Sequence, residues 1–233
     1  MHNPIRYLYD YLHDRYGPQG WWPLFHAPGQ KRQARGDDEP RYHHGDFSYP
    51  RTRLQRFEIC LGAILTQNTS WRNVVDALRN LRRITYLQPK RIVDTPRSSL
   101  ITAIVPARYY NQKSRYVCEF THWFLRQKKQ PTRDELLARI GVGNETADSM
   151  LLYAFTQPEF VVDAYTRRIA VFLGQVRDTA RYDDIKQCFR ERLKADVPVF
   201  QEYHALLVEH AKQYYVRKPW GENDPLREKF CRR

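Results

Sequence analysis

Apolar residues fall at helical spacing along most of the chain, and no pair of segments alternates as strands would. Near the start, Ile5, Tyr7, Leu8, Tyr11 and Leu12 interleave with charges, as on an amphipathic helix. Residues 26–56 are polar and rich in turn formers, which predicts a long loop or insertion. The helical period returns with Phe57, Cys60, Leu61, Ile64 and Leu65, then with Trp71, Val74, Val75, Leu78 and Leu81 behind an N-cap at Ser70. Leu100, Ile101, Ile104 and Val105 predict a short helix; Tyr116, Val117, Phe120, Trp123 and Phe124 predict a longer one. Thr132 and Glu135 form a capping box that opens a helix through Ile140. Gly141-Val142-Gly143 breaks it, and a new helix runs from Asn144 to about Phe155. Further helices are expected over Asp163–Leu173, 183–195 and 198–215, and the tail from Arg217 reads as irregular. The fold class is all-α.

Charge narrows the function. The 233 residues carry a formal net charge of +13, with +3 over 1–56, +6 over 57–159 and +4 over 160–233. An acidic partner is implied, nucleic acid ahead of a membrane surface. No basic tail concentrates the charge, so the fold itself must build the binding face. No apolar run approaches the ~20 residues of a membrane span, and Met1 to Tyr16 lacks a signal-peptide core. Cys60, Cys118, Cys188 and Cys231 show no C-x-x-C spacing and read as reduced thiols, so a cytoplasmic protein is expected. The pair His43-His44 has no partner at ligand spacing, and no metal site is expected.

The most informative stretch is residues 136–169, LLARIGVGNETADSMLLYAFTQPEFVVDAYTRRI. Two helices meet at Ile140-Gly141-Val142-Gly143. Glycines there permit positive φ and close approach of a foreign backbone. The second helix starts with amides ahead of its first internal bond and with the positive end of its dipole, where a phosphate oxygen can dock. The same residues also suit an ordinary helical corner. Asp163 lies 20 residues beyond Gly143, ends an apolar run and begins a helix. It reads as an N-cap. A carboxylate in that position also stays ionised, and beside a deoxyribose it could stabilise an oxocarbenium-like transition state or orient water.

This segment resembles the helix-hairpin-helix DNA glycosylase superfamily of endonuclease III type. FEICLGAILTQNTSWRNVVDALRNL (57–81), IVPARYYNQKSRYV (104–117) and HAKQYYVRKP (210–219) extend the resemblance over roughly residues 50–219. It implies two helical domains flanking a DNA cleft. A six-helix barrel of residues 57–159 would carry the hairpin (136–155), and residues 1–56 and 160–233 would join both chain ends. It also implies excision of a flipped base from damaged double-stranded DNA, by a monomer associated with the nucleoid. The hairpin contacts would be Ile140, Gly141, Val142, Gly143 and Thr146. Gln67 would enter the gap left by the flipped base, though its spacing suits a helix C-terminal cap equally, with Asn68 and Leu81 as weaker wedges. Arg108, Lys113 and Arg115 suit phosphate contacts and a solvated charged face equally.

Two departures refine what the resemblance implies. Bifunctional members place a lysine before the Thr-Ala of the hairpin helix, and here that position is Glu145. A carboxylate cannot form a Schiff base, so a monofunctional glycosylase with Asp163 as catalytic residue is expected. The family's four-cysteine iron–sulfur loop, counted back from Cys231, would put ligands at Pro225, Glu222 and Tyr215, so no cluster is expected. TQNTSW (66–71) and Gly20-Trp21-Trp22-Pro23 are most similar to the 3-methyladenine DNA glycosylase III branch. That similarity places Trp22, Pro23 and Phe57 in the base pocket with Glu145 at its edge. An aromatic sandwich favours a cationic N3-alkylated adenine; Trp21 and Trp22 suit plain core packing as well. The expected activity is release of alkylated purines, 3-methyladenine first. The alternatives are a glycosylase for uracil, thymine or another mismatched or damaged base, and a non-catalytic DNA-binding protein.

Overall fold

Why the apolar stripes become helices is visible in their caps and burial. A computed structural model describes residues 3–26 and 38–230; the expectations on residues 27–37 and on Cys231 lie outside it. In chain order the helices are α1 (Pro4–Tyr16), α2 (Arg53–Leu65), α3 (Trp71–Thr85), α4 (Pro89–Asp94), α5 (Arg97–Ile104) and α6 (Tyr110–Arg126). They continue with α7 (Arg133–Leu137), α8 (Asn144–Ser149), α9 (Ala164–Phe172), α10 (Tyr182–Arg192), α11 (Val197–Tyr214) and α12 (Arg227–Phe230). A 3-10 turn, Val105–Ala107, precedes α6, and α8 widens into a π turn over Met150–Ala154. Among the described residues there is no strand, only a single antiparallel bridge from Leu24 to Arg41. Ser70 caps α3 and Thr132 caps α7 through Asn73 N and Glu135 N, as their sequence signatures predict. The helix α4 is not visible as a pattern because it is six residues long and buries only Ile92.

The chain divides into two compact units. One comprises residues 22–42 and 48–156, the other residues 1–21, 43–47 and 157–233. Residues 22–26 and 38–42, grouped by sequence with the chain ends, thus pack with the barrel helices. Glu58 on α2 explains part of this, since its buried carboxylate accepts from Phe25 N and from His26 Nδ1.

In the hairpin-bearing unit α2 is buried nearly all round, from Phe57 to Leu65, and is its central helix. It runs antiparallel to α6. Arg53 at its start donates to the carbonyl of Phe124 near the end of α6 at 2.6 Å. At its other end, the carbonyls of Leu65 and Gln67 accept from Lys113 near the start of α6, both at 2.7 Å. In the second unit α1, α9 and α11 pack together. Ile5, Leu8 and Leu12 have no exposed surface, Phe160 stacks on Phe189 at 4.4 Å, and the Tyr203 hydroxyl donates to the carbonyl of Ile5 at 2.8 Å. That last bond ties the first helix to the last long one.

Candidate DNA-binding and base-release site

The hairpin is built by one glycine that needs its conformation and one that needs its openness. Gly141 sits at φ +78, and a Cβ there would overlap the Tyr116 ring. Gly143 adopts an ordinary extended φ of −96, so the expectation of positive φ holds for Gly141 alone. Nothing lies within 4 Å of a Cβ built on Gly143, which leaves its backbone open to an incoming strand. The first intrahelical bond of α8 is from Ala147 N to Gly143 O, so the amides of 144–146 precede the ladder. Ile140 is 40% exposed, whereas Val142 is buried and contributes backbone rather than side chain to any contact. The two hairpin helices are held together by Arg133 on α7. It donates to the fully buried Asp148 of α8 at 2.8 Å and to Asn144 Oδ1 at 3.0 Å. Asp148→Asn should cost about 2 kcal/mol in urea unfolding, because a charge-assisted bond in a buried pair becomes neutral. Wild-type stability in that variant would show that the pair does not hold the hairpin.

Two loops stand beside the hairpin in the same unit. Gln67 Nε2 donates to Gly141 O at 2.7 Å and to Thr146 Oγ1 at 3.0 Å. The side chain expected to enter the duplex is therefore committed, in this structure, to bracing the hairpin turn. Asn68 is exposed with φ 53. Leu81 has no exposed surface, because it continues the apolar stripe of α3 with Val74, Val75 and Leu78, so it cannot act as a wedge. Tyr109 is the most exposed large apolar side chain among the described residues, at 60%. Arg108 and Tyr109 both adopt positive φ, 60 and 46, a costly pair of conformations that turns the ring out just before α6 begins. Lys113 binds both loops together. Its ammonium donates to Leu65 O, Gln67 O and Ala107 O, all at 2.7 Å, and it is 2% exposed. Burial lowers its pKa to about 8. Buried among carbonyls, Lys113 is not a phosphate contact.

The aromatic expectations are corrected in part. Phe57 has no exposed surface and packs on Phe124 at 5.0 Å, so it belongs to the core and not to a base pocket. Trp22 and Pro23 are also buried. The Trp22 indole covers Gly62, about 3.0 Å from where a Cβ would stand, and meets Tyr153 and Trp71 edge-on. Trp71, at the first position of α3 and four residues beyond Gln67, is the part-exposed member of this cluster. Its place on the apolar stripe concealed it in the sequence. Glu145 is exposed on the first turn of α8.

In the other unit Asp163 serves as the N-cap of α9. Its Oδ1 accepts from Thr166 N at 2.7 Å. Its Oδ2 lies 4.0 Å from Nε2 of His204 on α11, and the carboxylate side chain keeps 16% of its surface exposed. The capping and chemical readings are thus compatible: one oxygen holds the helix and the other faces His204. Trp21 stands edge-on to His204 at 5.7 Å. Burial lowers the His204 pKa, with Asp163 opposing. A histidine whose folded pKa lies below its ordinary value binds fewer protons folded than unfolded. Its contribution to stability is therefore full above about pH 6.5 and is lost as pH falls. Thermal melts of His204→Gln between about pH 7 and 5 should show a shallower decline than wild type. Parallel profiles would remove His204 from this account.

The stretch in which the family places iron–sulfur ligands does not fit such a cluster. Tyr215 lies in a buried hydrogen-bond network, its hydroxyl donating to Asp224 Oδ2 beside His210 Nε2, which is 3.0 Å from the same oxygen. Leu226 N donates to the other carboxylate oxygen at 2.8 Å, and Tyr16 OH lies 2.8 Å from His210 Nδ1. Burial pushes the Asp224 pKa up, but bonds from His210, Tyr215 and Leu226 outweigh it and hold the group below its usual range. Among the described residues no group of His, Cys, Asp and Glu could hold a metal. Trp220 in the tail lies under Arg168 at 4.5 Å and Lys218 at 5.0 Å.

A helical unit with a braced hairpin, and a second with a capped carboxylate after it in sequence, define a helix-hairpin-helix fold of the DNA glycosylase type. The profile of the HhH-GPD superfamily of base excision DNA repair proteins matches residues 61–195, and the chain belongs to that superfamily. A Methanocaldococcus jannaschii protein assigned as a DNA repair glycosylase is 37% identical over 96% of this chain and 94% of its own. An endonuclease III in a non-covalent complex with DNA has the same fold at 17% identity, with a TM-score of 0.74 over 100% of this chain and 96% of that one. The 3-methyladenine DNA glycosylase of H. pylori, bound to 1,N6-ethenoadenine, is 26% identical, with a TM-score of 0.60 over 70% of this chain and 89% of that one. The helical fold, the superfamily and the action on DNA expected from the sequence agree with these findings. No helix among the described residues is long and apolar enough to cross a membrane.

Proposed function

We propose that this protein is a monofunctional DNA N-glycosylase that flips alkylated purines, 3-methyladenine first, from damaged double-stranded DNA and releases them. The observation that carries the reading is the division of carboxylates. Asp163 is retained with one oxygen available, while the position of the Schiff-base lysine is the exposed carboxylate Glu145. The C1′–N bond breaks with its electron pair leaving on the cationic base. Asp163 stabilises positive charge on the deoxyribose, and a water oxygen then bonds to C1′ as its proton passes to solvent, leaving the neutral base and an abasic sugar. An alkylated base already carries the activating charge, so no strong general acid is needed. Trp71, backed by Trp22, supplies the aromatic face that favours a cation. Tyr109 is the group that would enter the vacated stack, with Gly141 and Gly143 shaping the phosphate cradle. The protein works as a monomer in the cytoplasm and uses no iron–sulfur cluster.

The test is incubation with methylated genomic DNA and chromatography of the released bases, with borohydride trapping alongside. Release of 3-methyladenine without a trapped covalent adduct supports the reading. A trapped adduct would overturn the monofunctional part. Release from uracil or mismatched duplexes only would overturn the alkylated-base part, and duplex binding with no release from any lesion would make the protein a non-catalytic binder.

A further inference from the structure

The antiparallel packing of α2 and α6 gives their unit two ends. At one, Gln67 and Lys113 brace the hairpin and its neighbouring loops. At the other, a pocket of ≈ 190 Å³ opens, lined by Arg53, Arg56, Lys128, Lys129 and the rings of Phe124 and Phe155, with Gln127 and Gln130 and no carboxylate. Arg53 holds the end of α6 through Phe124 O, and its guanidinium lies 4.9 Å over the Phe124 ring. Lys129 reaches Glu135 outside the pocket at 3.8 Å. Arg56 Nε is buried with no hydrogen-bond acceptor among the described residues.

We propose that this pocket is a phosphate-binding site distinct from the hairpin. Four cations around a concavity repel one another and focus a positive potential that one oxyanion relieves. The accessible guanidinium and ammonium N–H groups of the lining are charge-assisted donors, for which a phosphate oxygen is a well-matched acceptor. The volume is below the roughly 300–1,000 Å³ typical of small-molecule pockets, so a compact group fits and an extended acidic segment does not. The 13 residues of α2 span about 20 Å, which keeps the pocket away from any phosphate held at the hairpin end. The phosphate could be free in solution or part of a DNA backbone that reaches this end.

The test is titration of the whole protein with inorganic phosphate, followed by calorimetry, against chloride at equal ionic strength. Wild type, Arg56→Gln and the more peripheral Lys128→Gln are compared, each checked for helical content. Saturable binding that weakens about tenfold or more in Arg56→Gln, and by a smaller factor in Lys128→Gln, is expected. No saturation beyond chloride, equal affinity in all three proteins, or binding of a poly-glutamate peptide without any phosphate response would overturn the site. A second arm separates the sources. Weaker binding of the variants to long duplexes but not to short ones assigns the phosphate to DNA backbone. Unchanged affinity for both assigns it to a free phosphate. Base release from short duplexes is expected to be the same in all three proteins, so failure of this site leaves the glycosylase reading untouched.

Discussion

Asp163→Asn should abolish base release while leaving the protein folded and able to bind duplex DNA. Asparagine caps a helix about as well as aspartate, so the bond to Thr166 N survives and α9 keeps its start. What disappears is the negative charge on the second oxygen, the one 4.0 Å from His204. A positive deoxyribose then develops with no counter-charge, and the rate of base release falls by about 10³-fold, or roughly 4 kcal/mol of barrier. The measurement is single-turnover release of 3-methyladenine from a defined duplex, with duplex affinity and thermal melting determined on the same preparations. Equal release by both proteins would remove Asp163 from the chemistry. A loss of release together with a large fall in melting temperature would assign it to the cap alone.

The two readings of Asp163 show what a sequence can and cannot carry. That it begins a helix after an apolar run is a local fact, and the structure agrees with it. Ser70, the Thr132–Glu135 box and the break at Gly141 are local in the same sense, because cap and turn chemistry acts within three or four residues. Long-range partners are not local. Lys113 reads as one more cation in a basic chain, and only the fold brings Leu65, Gln67 and Ala107 to its ammonium. Gln67 reads as a free amide beside DNA but is taken up by the hairpin. Position on an apolar stripe does not distinguish a pocket wall or a wedge from a core, and Phe57 and Leu81 are both fully buried. Tyr109 lacks a distinguishing period and Trp71 is hidden on the apolar stripe of α3; their exposure depends on backbone angles and on neighbours distant in the chain.

Lys113→Met is the severest test of that hidden architecture. Methionine preserves the straight, apolar stem, so packing of the chain along α6 changes little. The three N–H groups vanish, and the carbonyls of Leu65, Gln67 and Ala107 lose their donor at once. Buried acceptors without partners cost about 1–3 kcal/mol each, and partial access of water to the Gln67 carbonyl lowers the total, so a loss of about 4 kcal/mol in urea unfolding is expected. The loss is functional as well as structural. The Ala107 carbonyl precedes the strained pair Arg108 and Tyr109, and the Gln67 carbonyl belongs to the residue that grips Gly141. With the ammonium gone, the two positive φ values lose one anchor on their N-terminal side, leaving the bond from Arg108 N to Val105 O at 3.1 Å, and the hairpin brace can drift. Duplex affinity measured well below the variant's melting temperature should therefore fall about tenfold, a change that lowered stability alone would not produce in a fully folded sample. Wild-type affinity in a folded but destabilised variant would mean that Lys113 supports the unit without setting its DNA-facing loops. A variant that melts with wild type would mean that water replaces the ammonium at all three carbonyls.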